Sequence, residues 1–180
     1  NEQSPAIRIS VTHLLIKALG VAMTELPAAN RIWVDDKILA FNQVDIGMVT
    51  ETADGLRVPI IRDAGRRTLE DVAIEARTLA SRAQDDTLTQ NEVSGGSVSI
   101  SNVGMFGASS LIPIINPPQA MILGVGSEQA LFRPDEAGQP VLHKEICLTF
   151  ACDHRVHDGA DAARLLSRLA TILKNPSVFM

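Results

Sequence analysis

Three segments with a helix-like apolar period alternate with short strand-like runs, and this pattern restricts the fold more than any other feature. The first two helices are predicted after Ser10 and Thr68, whose hydroxyls can cap the first free amides. The third is predicted over about residues 159–174 and ends before Asn175-Pro176. Hairpins occur between the helices in place of a strict strand-helix alternation. The pattern predicts an α/β fold in which a mixed β-sheet is sandwiched with helices.

The strand-like runs carry their own signals. "RIWVDDKILAF" predicts a hairpin in which Lys37 is a surface turn residue. "VDIGMVT" predicts one strand. The proline of the following "LRVPIIR" predicts an edge position or an irregularity, because proline cannot donate to a neighbouring strand. "SVSIS" predicts a strand whose alternation places Ser97, Ser99 and Ser101 on one face, consistent with a row of hydroxyls along a polar channel.

Composition excludes several classes of protein. With 180 residues and 46% hydrophobic content, the chain can bury the core of one domain over 1–180. A net charge of -5 without a basic cluster, and only 3% aromatic residues, argue against nucleic acid as a partner. The longest apolar run, 11–23, contains polar residues and is too short for a membrane span. Cys147 and Cys152 should point to opposite faces of a strand, so reduced thiols are expected.

The stretch "ACDHRVHDGADAARLL" combines strand end, polar cluster and helix start. A zinc site is one interpretation, but no further ligands follow at a recognisable spacing, so we expect no metal. A helix cap at Asp158 is a second interpretation, since a carboxylate there meets the first free amides and the positive end of the dipole. The third is an acid-base centre at His154, because imidazole titrates near neutral pH. His157 and Cys152 are interpreted as bystanders.

Four blocks resemble one enzyme family. "DHRVHDG" contains the H-x-x-x-D-G motif of the 2-oxo acid dehydrogenase acyltransferases (dihydrolipoamide acyltransferases), which chloramphenicol acetyltransferase shares. The other blocks, in the order and at the intervals typical of that family, are "VDIGMVTETADGLRVPIIRDA", "SGGSVSISNVGMFG" and "IINPPQAMILGVG". The resemblance extends from about Ile7 to the end of the chain. It implies the chloramphenicol acetyltransferase-like, CoA-dependent acyltransferase fold.

The resemblance also implies roles for individual residues. His154 matches the family's general base, which takes the proton from the coenzyme A thiol, or from dihydrolipoamide in reverse. Ser101 matches the serine that donates a hydrogen bond to the oxyanion of the tetrahedral intermediate. Asp158 matches the motif's aspartate, which holds the loop and the histidine in place, in agreement with the cap interpretation.

Three more positions are assigned to substrate binding by the same resemblance. Leu123 matches an apolar residue at the mouth between the two substrate channels, against the simpler interpretation of a core residue. Asn102 and Ser109 are assigned to the binding of coenzyme A. Lys37 superficially resembles a lipoyl-lysine turn, but no lipoyl domain surrounds it.

The implied activity is acyl transfer from S-acyl-dihydrolipoamide to coenzyme A, with acetyl favoured and succinyl or branched-chain acyl groups open. The implied assembly is a trimer with His154 of one subunit facing Ser101 of the next, built into a 24-mer or 60-mer, with "SVFM" as a contact between trimers. The implied partners are the 2-oxo acid dehydrogenase and dihydrolipoamide dehydrogenase components, in a bacterial cytoplasm, which is favoured, or a mitochondrial matrix.

Two rivals stay open: a non-catalytic core component and an antibiotic acetyltransferase. Compared with the family, the chain is expected to lack an N-terminal segment of the catalytic domain with basic residues for coenzyme A. Lipoyl and subunit-binding domains are expected to be absent as well.

Overall fold

The computed structural model describes residues 8–175 and 177. Three α-helices carry the core: α1 (Val11–Glu25), α2 (Leu69–Gln84) and α3 (Gly159–Leu173). Eleven strands are present in the described residues: β1 (Arg31–Val34), β2 (Lys37–Ala40), β3 (Ile46–Met48), β4 (Thr50–Thr52), β5 (Gly55–Arg57), β6 (Ile60–Ile61), β7 (Val98–Asn102), β8 (Met121–Val125), β9 (Gln129–Pro134), β10 (Pro140–Glu145) and β11 (Leu148–Cys152).

Each helix begins at the cap that the sequence predicted. The Ser10 hydroxyl accepts a hydrogen bond from the amide of His13, and the Thr68 hydroxyl accepts one from the amide of Asp71. Asp158 caps α3 and accepts from the amide of Asp161, 2.8 Å away. These bonds satisfy amides that have no partner within the helix, so the three helix starts are local properties of the sequence.

The central sheet has the strand order β11-β8-β7-β3-β6. Strands β3, β7 and β8 run parallel, whereas the two outer strands β11 and β6 are antiparallel to their neighbours, so the sheet is mixed. Strand β6 is an edge strand, as Pro59 predicted. The single strand predicted for "VDIGMVT" is wrong in extent: the chain leaves the central sheet at Val49, and β4 pairs with β5 in a separate hairpin.

All three helices cover one face of this sheet. The core joins apolar residues of the helices to the side chains that alternate toward them from β3, β7 and β8, among them Ile46, Ile100 and Leu123. The opposite face carries Ser99, Ser101 and their register neighbours. Side hairpins and the segment 108–118 cover parts of this second face, which is where the polar candidate residues lie.

Two smaller predictions concern the thiols and the membrane. Cys147 and Cys152 are both free, as the strand geometry predicted. In the part of the chain that the structure describes, no helix has the length and apolar character required to cross a membrane.

Candidate functional site

His154 lies at the tip of a tight turn between β11 and α3. The amide of Asp153 donates to the carbonyl of Ala120, which continues the pairing of β11 with β8 by one residue. The amides of Val156 and His157 then both donate to the Asp153 carbonyl at 3.0 Å, and this closes the turn. The His154 side chain is exposed, so its ring is available to a substrate or to another copy of the chain.

The turn is held from below by buried side chains. Val156 is 6% exposed and packs against Ile32 of β1 and Ala120, which precedes β8. His157 is 2% exposed. The β1–β2 hairpin therefore lies directly against the turn that presents His154. His157, interpreted above as a bystander in the chemistry, is one of the most deeply buried polar residues of the described chain.

A charged pair stiffens the same turn from outside. Arg155 donates from Nη2 to Asp153 Oδ2 at 2.7 Å, and its amide donates to Asp153 Oδ1 at 3.0 Å. The Arg155 guanidinium also stacks over the Trp33 ring, 5.5 Å from its centroid. These bonds hold the pKa of the Asp153 carboxyl below its usual value. The adjacency of Asp153 and Arg155 was a visible signal for this turn, whereas the Trp33 contact depends on the fold.

Asp158 acts on this region through the backbone. Its carboxylate accepts from the Asp161 amide, while its own amide donates to Asp161 Oδ2 at 3.4 Å. This reciprocal box fixes the first turn of α3, four residues after His154. The carboxylate makes no hydrogen bond to His154 among the described residues. The cap interpretation of Asp158 is therefore confirmed, and any effect on the histidine passes through the loop.

Ser101 lies near the end of β7 on the face away from the helices. It is half-buried and lines a cavity of about 510 Å³ together with apolar residues of β8 and of segment 111–116, including Ile112 and Ile114. Gly124 is the register neighbour of Ser101, and a Cβ there would clash with the Leu111 carbonyl. The absent side chain lets the segment cross the sheet beside Ser101.

The predicted row of three channel-facing hydroxyls is wrong for two of its members. Ser97 and Ser99 have no exposed surface. The Ser97 hydroxyl donates to Asn30 Oδ1 at 2.7 Å, and the Ser99 hydroxyl bonds to Gln119. Buried hydroxyls need such partners. Only the Ser101 hydroxyl reaches a cavity, and it bonds no side chain or carbonyl in the described part of the chain.

The three residues assigned to substrate binding lie in different surroundings. Asn102 donates from Nδ2 to the Thr12 hydroxyl at 3.0 Å and accepts from the Gly104 amide, so its amide group joins the end of β7 to α1. Ser109 is exposed in the loop after β7. Leu123 has no exposed surface and packs in the core. In this chain Leu123 therefore occupies a core position and does not line the cavity of Ser101.

His154 and Ser101 are far apart within one chain. Register places Cys152, Met121 and Val98 in one row across β11, β8 and β7, with Ser101 three residues further along. His154 lies beyond Cys152 in the opposite direction. At about 3.3 Å per residue and about 4.8 Å per strand, the two positions are roughly 15 Å or more apart. They cannot contact one reacting carbonyl from the same chain.

No group of three or more histidine, cysteine, aspartate or glutamate side chains suited to a metal ion occurs among residues 8–175 and 177. Cys152, beside the turn, is half-buried, and burial raises the pKa of its thiol.

The fold belongs to the class of CoA-dependent acyltransferase folds. The features that place it there are the five-stranded mixed sheet, the three helices on one face and the histidine at the β11–α3 turn. Chloramphenicol acetyltransferase is similar in structure, with a TM-score of 0.56 over 91% of this chain and 78% of that one, at 15% identity, a level that supports the fold alone. The predicted fold class is thus confirmed.

The family is shown by the sequence as well as the fold. Residues 1–180 match the family described as 2-oxoacid dehydrogenases acyltransferase (catalytic domain), and the chain belongs to this family. The dihydrolipoyllysine-residue acetyltransferase component 3 of the mitochondrial pyruvate dehydrogenase complex of Arabidopsis thaliana is 37% identical over 97% of this chain and 33% of its own length. The chain thus spans about a third of that relative.

Two solved structures are very similar to this chain. One is the cubic core of the pyruvate dehydrogenase multienzyme complex, and the other is Azotobacter vinelandii dihydrolipoamide acetyltransferase. Each has a TM-score of 0.90 and 30% identity, and each match covers 97% of this chain and 73% of the other. The Azotobacter work concerns the roles of a serine, a histidine and an asparagine in catalysis.

Proposed function

We propose that this chain is a catalytic domain that transfers an acyl group, preferentially acetyl, from S-acyl-dihydrolipoamide to coenzyme A within a 2-oxo acid dehydrogenase complex. His154 is the general base and Ser101 the oxyanion donor. One observation carries the proposal. The exposed His154 imidazole lies at one end of the sheet, and the Ser101 hydroxyl, which has no hydrogen-bond partner in the described chain, lies at the other.

The proposed chemistry needs only these two groups and two thiols. A free thiol has a pKa of about 8.5, so a base that removes its proton generates the nucleophile near neutral pH. His154 takes the proton from the coenzyme A thiol, and the thiolate attacks the thioester carbonyl. The Ser101 hydroxyl donates to the resulting oxyanion. When the carbonyl reforms, the dihydrolipoamide sulfur leaves and receives the proton from His154.

The distance between His154 and Ser101 supports a site shared by two copies of the chain. Because one chain cannot bring both groups to a single carbonyl, a second copy must supply one of them. A closed trimer gives each turn a neighbouring Ser101 cavity and produces three equivalent sites. The exposed Ile112 and Ile114, 85% and 90% accessible at the cavity rim, are apolar surface that such an assembly would bury.

The Azotobacter protein supports the residue assignment by spacing. There the asparagine follows the histidine by four positions, as Asp158 follows His154 here. The serine precedes the histidine by 52 positions there, against 53 between Ser101 and His154 in this chain. Asparagine and aspartate are both strong N-caps, so the exchange preserves the role that the structure gives Asp158.

Mixing two inactive variants tests the shared site. His154→Ala and Ser101→Ala are expected to lower turnover when each is made alone, by about 10²-fold or more. Co-expression in equal amounts should restore about a quarter of the sites, because a random neighbour pair then joins an intact histidine to an intact serine. A mixture no more active than its components would contradict a site between copies. Undiminished turnover of His154→Ala alone would favour a non-catalytic core component instead.

The choice of acyl group rests on the relatives. Of the relatives cited above, the Arabidopsis protein is an acetyltransferase component of a pyruvate dehydrogenase complex, and the Azotobacter protein is a dihydrolipoamide acetyltransferase. We therefore expect acetyl-CoA to be preferred over succinyl-CoA and isobutyryl-CoA in the reverse reaction with dihydrolipoamide. A pocket separates substrates that differ by one methylene by only about 10- to 200-fold, so kcat/KM must be compared for all three. Acetylation of chloramphenicol without transfer to dihydrolipoamide would support an antibiotic acetyltransferase.

The assembly and location of the whole protein complete the proposal. We propose a trimer that builds a 24-mer or 60-mer core and works with 2-oxo acid dehydrogenase and dihydrolipoamide dehydrogenase components. A bacterial cytoplasm is favoured over a mitochondrial matrix. The cubic core of the similar structure supports self-assembly. The predicted contact through "SVFM" lies outside the described residues except for Ser177, and binding of coenzyme A by Asn102 and Ser109 stays a prediction.

A further inference from the structure

His157 is a buried imidazole without a well-formed hydrogen bond in the described chain, although the Arg31 backbone lies near enough to affect its pKa. The residue is 2% exposed, and no described group lies in hydrogen-bonding geometry to either of its ring nitrogens. The Nε of Arg31, on the strand that packs against the turn, is also buried and unpaired among the described residues. These three atoms are the buried side-chain nitrogens and oxygens left without a partner in the described chain. The Arg31 guanidinium lies close enough to the His157 ring to act on its pKa.

The charges around His157 oppose its protonation. Burial has the largest effect and the charge of the Arg31 guanidinium the next largest, and both lower the pKa of His157 below its usual value. Asp161 of α3, Asp153 of the turn and the Arg31 backbone act in the opposite direction with smaller effect. Asp161 and Asp153 are each hydrogen-bonded to an arginine of their own segment, which weakens the effect of both carboxylates on a protonated ring.

The position of His157 in the chain adds to this opposition. It directly precedes the N-cap of α3, where the helix dipole presents partial positive charge. A protonated ring here would carry two N–H donors, of which the Arg31 backbone could accept from one at most, and a charge removed from water. The cheapest response is movement of the ring toward solvent. Because the His157 amide closes the turn on the Asp153 carbonyl, this movement would open the turn that holds His154.

We propose that His157 is a positioning residue: its uncharged ring anchors the turn that presents His154, and proton uptake releases the turn from the β1–β2 hairpin. The effect on turnover rests on the proposed function, since it requires that His154 be the base. The effect on the structure of the turn does not require it.

The lowered pKa determines the direction of the pH effect. The unfolded chain binds a proton at His157 more readily than the folded chain does. The stability contributed by the uncharged ring is therefore complete above the unfolded pKa, about 6.5, and is lost as pH falls through the folded value. His13 is shifted in the same direction by burial and by Arg77, so the effect of His157 must be obtained as a difference between variants.

The experiment uses the full-length assembled protein with three replacements at His157. His157→Leu and His157→Gln fill the site without a titratable group, and His157→Ala leaves it empty. His143→Gln is the matched control, because His143 is exposed on β10. Thermal unfolding is followed from pH 8 to pH 5, and kcat and KM for acetyl transfer are measured over the same range.

The stability curves are expected to separate at acid pH. The wild type and His143→Gln should lose unfolding temperature more steeply below about pH 6.5 than His157→Leu and His157→Gln do. Superimposable curves for all four proteins would overturn the proposal. This readout does not involve acyl transfer, so it stands even if His154→Ala shows that the proposed function is wrong.

The activity profiles are expected to differ in slope. In the wild type, kcat/KM should fall about tenfold per pH unit while one proton is taken up, and about a hundredfold per unit once His157 is also protonated. His157→Leu should keep the tenfold slope. At pH 8, His157→Ala should lower kcat with little change in KM, and His157→Leu should restore it. A loss with both Leu and Gln at pH 8, in folded protein, would overturn the positioning role.

Discussion

Replacing Asn30 with alanine should destabilise the protein far more than replacing a typical surface amide. Asn30 is 1% exposed and bridges three chain segments. Its Nδ2 donates to the carbonyls of Phe41 and Gln43 at 2.9 and 2.8 Å, and its Oδ1 accepts from the buried Ser97 hydroxyl at 2.7 Å. These bonds tie the β1–β2 hairpin, which supports the His154 turn, to β7 of the central sheet.

The magnitude follows from what each partner loses. A typical intramolecular hydrogen bond contributes about 1 kcal/mol, and a buried group left without a partner costs about 1 to 3 kcal/mol. The Ser97 hydroxyl is fully buried and would bear the full penalty, whereas the Phe41 and Gln43 carbonyls belong to residues that are at least partly exposed. We therefore expect Asn30→Ala to lower the free energy of unfolding by about 3 to 4 kcal/mol.

The assay is urea unfolding of Asn30→Ala, Ser97→Ala, the double variant and the control Gln43→Ala. The Gln43 side chain is exposed and makes one hydrogen bond, to Asp45, so its removal should cost less than about 0.5 kcal/mol. The double variant should cost less than the sum of the singles, since Ser97→Ala removes the hydroxyl that Asn30→Ala strands.

A loss of less than about 1 kcal/mol for Asn30→Ala, or a loss no larger than that of Gln43→Ala, would refute a bridging role of Asn30. A double variant whose loss of unfolding free energy equals the sum of the two single losses would also refute this role. It would mean that the Ser97 hydroxyl does not lose its partner when Asn30 is shortened.

Three further predictions concern the site. Asp158→Asn should keep stability and acyl transfer, while Asp158→Ala should lose about 1 kcal/mol of cap energy and lower kcat, as checked by thermal unfolding and steady-state kinetics. Gly124→Ala should fold but displace the segment beside the Ser101 cavity, so that turnover falls at least tenfold; normal turnover would show that the segment is free to move. Arg155→Met should lower kcat severalfold by freeing the turn from Asp153 and Trp33, whereas Arg155→Lys should restore part of it; an unchanged kcat in Arg155→Met would show that the pair does not steady the turn.

Local chemistry explains why several features could be predicted from sequence. A cap depends on a side chain and an amide three residues away, so Ser10, Thr68 and Asp158 were recognisable from their neighbours. The edge position of β6 followed from Pro59, and the separation of the two cysteines from strand alternation. The resemblance of four sequence blocks to the acyltransferase family implied the fold, which the structure confirms.

The errors in prediction share one cause. Strand alternation correctly put Ser97, Ser99 and Ser101 on one face, but whether that face meets solvent or protein depends on Asn30 and Gln119, 67 and 20 residues away. Nothing in the neighbouring sequence distinguishes a serine hydroxyl that faces a cavity from one that is buried and hydrogen-bonded to a distant side chain.

The burial of His157 and Leu123 depends on distant segments in the same way. His157 stands in a polar stretch of sequence, yet β1 covers it and buries its ring. Leu123 stands in a motif block, yet its face of β8 belongs to the core under three helices. Segments that are distant in sequence determine whether a side chain is buried. Burial lowers the pKa of the His157 imidazole and makes Leu123 part of the core.

The amino-acid sequence by itself determined the three helices with their caps, the family and the two residues that carry the proposed chemistry, because these depend on short-range spacing and motif. Only the tertiary structure decided that His154 and Ser101 lie at opposite ends of one sheet. Sheet register, set by pairing among strands far apart in the chain, separates them by roughly 15 Å or more. That separation makes a second copy of the chain a requirement of the proposed site.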